Sequence, residues 1–99
     1  MEKLALHAWD STEHLKTEEE IAAYLDACFE EARDDAAFIA RALGTVARAR
    51  GMTRLAHDAG MGRESLYKAL SGESNPSFAT ILKVAKALGV RIRAESLHV

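Results

Sequence analysis

Glycines divide residues 17–89 into runs whose apolar side chains recur every three or four positions. That spacing predicts a chain of short amphipathic helices. After Thr17, the residues Ile21, Tyr24, Leu25, Cys28 and Phe29 fall on one side of a helix expected over about 17–33. Thr17 with Glu20 matches a capping box, and the carboxylates of Glu18, Glu19 and Glu20 suit the positive end of a helix dipole. Asp34 or Asp35 opens a second helix with Phe38, Ile39, Ala42, Leu43, Val46 and Ala47 inward and Arg41, Arg48 and Arg50 off that side. Gly44 inside it costs roughly 1 kcal/mol against alanine, which points to a close helix–helix contact. Gly51 ends the run.

Three shorter helices follow. Thr53 caps one over about 54–59, which Gly60 breaks. A second spans about 63–71 and is closed by Gly72. Ser77 caps the third over about 78–88, with Ile81, Leu82, Ala85 and Leu88 inward and Gly89 as the stop. The tail alternates Val90, Ile92 and Ala94 with Arg91, Arg93 and Glu95, the period of a strand. A strand needs a partner, either Leu4–Trp9 or the same segment of a second chain. The expected fold is therefore all-α: five helices, the first acidic, with a short C-terminal β-strand. Residues 1–16 read as a lead-in and 17–99 as a single domain.

A chain of 99 residues supports one modest core. With 48% apolar and 28% charged residues the chain reads as globular. There is no apolar run long enough to span a membrane and no signal-peptide pattern, and one cysteine cannot form an internal disulfide. A cytoplasmic protein is expected. Its net charge of −2 hides a split. Residues 1–35 carry three Lys/Arg against eleven Asp/Glu, a net −8, whereas residues 36–99 carry ten against four, a net +6. A basic second part points toward nucleic acid; two differently solvated faces are the plainer reading.

The informative segment is TRLAHDAGMGRESLYKALSG, residues 53–72. Ala56, Gly60 and Leu66 have the spacing of a helix-turn-helix: a small residue where the helices cross, a glycine at the tight turn and a leucine anchoring the second helix. Off the anchored side lie Arg63, Glu64, Tyr67, Lys68 and Ser71. Arginine and lysine donate to guanine edges or phosphates, and tyrosine donates to phosphate or packs on a thymine methyl. Glu64 either accepts from cytosine or holds Arg63 or Lys68 in place. Thr53 and Arg54 open the preceding helix, where phosphates sit, and Asn75 and Ser77 reach phosphate from the following loop. A solvated helix side is the plainer reading of the two cations.

Residues ARARGMTRLAHDAGMGRESLYKALSGESNPSFATILKVAKALGVRI resemble the helix-turn-helix of the λ-repressor-like (Xre) class. More closely, they resemble the small antidote proteins of bacterial addiction modules. The preceding HLKTEEEIAAYLDACFEEARDDAAFIARALGTVARARGM is similar to the N-terminal half of those proteins, so the likeness covers roughly residues 9–94. GRESLYKALSGESNPSFATILKVAKALG is its most specific part. The resemblance implies an antitoxin that neutralises a RelE/ParE-like toxin and represses the promoter they share. It implies two partners, operator DNA and a small basic toxin, and the first acidic helix is a candidate surface for the latter. Two positions depart from the class. Gly62 stands where serine commonly caps the recognition helix, and Arg54 stands where glutamine is common, which favours phosphate over base contact there.

One short recognition helix reads only a few base pairs, so a homodimer is expected, meeting through the last helix or the tail. The four histidines are dispersed, no metal-ligand spacing or phosphate loop is present, and no nucleophile has a base beside it. No enzyme, metal or cofactor is expected. Two alternatives stand beside the antitoxin reading: a stand-alone transcriptional regulator, and an interaction module that has lost DNA binding.

Overall fold

The computed structural model describes residues 15–97. Among the described residues five helices follow in chain order: α1 Glu18–Ala32, α2 Ala36–Arg50, α3 Met52–Ala59, α4 Arg63–Ala69 and α5 Phe78–Ala87. Among the described residues none is long and apolar enough to cross a membrane.

Local caps set most of these boundaries. Thr17 Oγ1 accepts from the Glu20 N–H at 3.1 Å, and Glu20 Oε1 accepts from the N–H groups of Thr17 at 3.1 Å and Lys16 at 2.9 Å. Three N–H groups at the helix start are thereby satisfied, as a capping box requires. Arg50, the last residue of α2, donates to the Lys16 carbonyl at 2.8 Å and pairs with Glu18 at 3.7 Å. The end of α2 is thus tied to the start of α1. Asp35, rather than Asp34, caps α2 by accepting from the Phe38 N–H at 3.2 Å. Ser77 caps α5 by accepting from the Thr80 N–H at 3.1 Å.

One expected cap is not a cap. Thr53 lies inside the first turn of α3, because Gly51 turns the chain with φ 104° and serves both as the end of α2 and the start of α3. A single residue therefore separates the two helices, and α3 begins two residues earlier than the pattern suggests.

α1 packs on α2, α2 on α3, and α3 on both α4 and α5. Their inward residues form one core: Leu15, Ile21, Leu25, Cys28, Ala42, Leu43, Val46, Ala47, Leu55, Ala56, Leu66, Leu70, Val84 and Leu88. Gly44 is a close-approach site, as expected: a methyl there would stand 2.7 Å from the carbonyl oxygen of Leu70, just beyond α4. Two residues assigned to inward stripes face outward instead: Phe29 is 44% exposed and Leu82 45%.

The C-terminal strand is not formed. Beyond Gly89, the Val90 N–H donates to the Ala85 carbonyl at 3.0 Å, and residues 91–97 then run exposed without regular structure. Strand geometry is held by a ladder to a neighbour, and no strand is present among the described residues to supply one. The expected partner, Leu4–Trp9, lies outside the described residues.

Candidate nucleic-acid interface

α3 and α4 are joined by three residues, Gly60, Met61 and Gly62. Gly60 takes the left-handed conformation at φ 70°, ψ 33°, which a side chain resists. The Met61 N–H reaches back to the Ala56 carbonyl at 2.9 Å and that of Gly60 to His57 at 3.1 Å, closing α3. Ala56 is 3% exposed and Leu66 is fully buried. Ala56 and Leu66 are thus buried on either side of the Gly60 turn.

With Leu66 inward, α4 turns its other sides to solvent. Arg63, Glu64, Tyr67 and Lys68 are all exposed, Tyr67 to 60%. The side chains of Arg63, Lys68 and Glu64 enter no ion pair or hydrogen bond among the described residues. Glu64 thus holds neither cation in place. Gly62 precedes α4 in extended conformation and makes no side-chain cap bond, so the first N–H groups of α4 have no capping side chain.

Thr53 and Arg54 lie exposed on the first turn of α3. Arg54 pairs through Nε with Asp58 at 3.7 Å, one turn along, and its side chain remains 84% exposed. Its terminal nitrogens are directed to no partner among the described residues. Asn75 is exposed on the loop before α5.

Two serines of the predicted set already have structural work. Ser71 Oγ donates to the Lys68 carbonyl at 2.9 Å and accepts from the Glu73 N–H at 3.1 Å. Ser77 Oγ also donates to Thr80 Oγ1 at 3.1 Å. Ser74 adds a second hydroxyl on the Lys68 carbonyl at 3.1 Å. These bonds close the end of α4 and shape the loop. Arg41 is not among the expected site residues, yet its side chain lies across Gly72: a methyl there would meet Arg41 Cγ at 2.7 Å. A guanidinium from α2 is thereby placed beside the same loop. Its position off the apolar side of α2 was the available signal.

The profile of a family described as probable addiction module antidote protein matches residues 5–96. The chain belongs to this antidote family. A protein of Haemophilus influenzae, described only as uncharacterized, is 50% identical over 90 residues, covering 91% of each chain. No solved structure matches. For an addiction module antidote, membership implies a toxin as protein partner.

Proposed function

We propose that this chain is the antitoxin of a type II toxin–antitoxin module. It neutralises a RelE/ParE-like toxin in the cytoplasm and, as a homodimer, binds operator DNA to repress its own transcription. In this reading α3 and α4 form a λ-repressor-like helix-turn-helix. The observation that carries it is the exposed set Arg63, Tyr67 and Lys68, held outward by the buried Leu66 with both cations unpaired among the described residues. α4 enters the major groove, where Arg63 and Lys68 donate to base edges or phosphates. Thr53, Arg54 and Asn75 hold the flanking phosphates, and the N-terminus of α5 at Ser77 adds backbone donors. Glu64 accepts from a cytosine amine, and Ser71 contributes through the loop it shapes.

The toxin docks on the acidic α1, where Asp26 and Glu30 are exposed with Phe29. Opposite charge there speeds encounter with a basic partner. Reversing the charge at Glu30 and Glu31 is expected to slow toxin association and flatten its salt dependence; unchanged affinity and salt dependence would remove α1 from the toxin surface.

A mobility-shift titration on the upstream promoter at two salt concentrations tests the DNA reading. Binding is expected to weaken steeply with salt. Arg63→Ala with Lys68→Ala is expected to abolish specific binding while the fold is kept. Unaltered binding by the double variant would refute the assignment. Co-purification with the product of the adjacent reading frame tests the toxin, and its failure would favour a stand-alone regulator.

A further inference from the structure

The apolar surface of α5 extends beyond its buried stripe. Val84, Ala85 and Leu88 face the core. Flanking them on the solvent side, Phe78 is 67% exposed and Leu82 45%, one turn apart, with exposed Ala79 beside them. Single apolar residues on a surface are ordinary, but neighbouring large ones mark an interaction site. We propose that this outward side of α5 is where two copies of the chain meet, with their α5 helices antiparallel across a two-fold axis between Phe78 and Leu82.

Self-complementarity favours a second copy. About that axis Phe78 of each subunit packs on Leu82 of the other, so each contact occurs twice, as an isologous interface demands. The small Ala79 beside them lets the helices approach to roughly 8–10 Å.

Charge selects the antiparallel arrangement. Lys83 and Lys86 occupy the C-terminal half of α5, and the exposed Glu73 lies in the loop before its N-terminus. None of the three enters an ion pair among the described residues. Antiparallel packing carries the lysine end of each helix toward the Glu73 loop of the other. Parallel packing would set lysine against lysine.

Size also agrees. Half-sites one helical turn apart require recognition helices about 34–36 Å apart, hence each roughly 17 Å from the axis. The molecule measures 39 × 27 × 24 Å, so an axis on its surface can lie at that distance from α4. This inference deepens the homodimer of the proposed function by naming the face that sets half-site spacing.

Sedimentation equilibrium of the full chain, with and without Phe78→Glu, tests it. The wild type is expected to be a dimer. Phe78→Glu replaces an exposed side chain, so circular dichroism is expected to be unchanged while the dimer Kd rises about 30-fold or more, as for a central interface residue. Glu73→Lys and Lys86→Glu are each expected to weaken the dimer, and the two together to restore it. A monomeric wild type, or a dimer indifferent to Phe78→Glu and to both charge changes, would overturn the proposal. Loss of toxin co-purification with the dimer intact would also overturn it, because the toxin would then be the occupant. On duplex DNA, a wild-type dimer that binds no operator would sink the DNA reading and leave this interface standing. Operator binding with a dimer indifferent to these variants would do the reverse.

Discussion

Gly44→Ala sets two effects of opposite sign against each other. In an isolated helix the change stabilises by about 1 kcal/mol, because alanine loses less conformational entropy than glycine. In this fold the added methyl would stand 2.7 Å from the Leu70 carbonyl oxygen and 3.5 Å from its Cβ. The oxygen belongs to backbone at the end of α4 and has no rotamer by which to escape. The end of α4 must therefore move off α2, and overpacking of this kind costs about 1–3 kcal/mol. The balance is a destabilisation centred near 1 kcal/mol, which lowers Tm by about 4–8 °C in a domain of this size. Urea and thermal unfolding followed by far-ultraviolet circular dichroism would measure it. A variant more stable than wild type would show that α2 and α4 do not approach as closely as the contact implies. If α4 reads operator DNA as proposed, operator affinity is expected to fall together with stability.

Thr17→Ala removes the acceptor for the Glu20 N–H and is expected to cost about 0.5–2 kcal/mol in chemical denaturation; no loss would mean the capping box does not stabilise α1. Gly62→Ser restores a hydroxyl cap to α4 at a residue with ordinary backbone angles (φ −70°, ψ 149°) and open space, the nearest atom being Ser65 Oγ at 3.9 Å. It is expected to stabilise by a few tenths of a kcal/mol, and a lowered Tm would contradict the extended conformation of Gly62. Burial pushes the Cys28 thiol up, with Glu31 adding to the rise and a Tyr24 hydrogen bond opposing it. The folded state then keeps a proton that the unfolded chain releases above its ordinary thiol pKa of about 8.5, so stability falls as pH rises through that value. Relative to Cys28→Ala, the wild type is expected to lose part of its advantage as pH rises above the ordinary thiol value of about 8.5; a constant difference would refute the shift.

What could be read in the chain was local. Thr17 with Glu20, Asp35 and Ser77 cap helices through bonds to residues three positions on, and Gly60 stops α3 through its own backbone freedom. Such features need no knowledge of distant chain, and neither does the spacing that buries Ala56 and Leu66. The tail segment 90–95 shows the limit. Its alternation is that of a strand, but a strand exists only through a neighbour, and the fold provides none among the described residues. Phe29 and Leu82 belong by periodicity to inward stripes, yet the width of the face each neighbouring helix covers leaves them in solvent. The same holds at the candidate interface. Sequence placed Arg63, Tyr67 and Lys68 on one helix, while packing decided that they stand outward, that Glu64 pairs with neither cation, and that the hydroxyls of Ser71 and Ser77 are spent on backbone and neighbouring groups. Backbone caps are decided within one turn of chain, whereas exposure and partnership depend on surfaces that exist only once the helices have met.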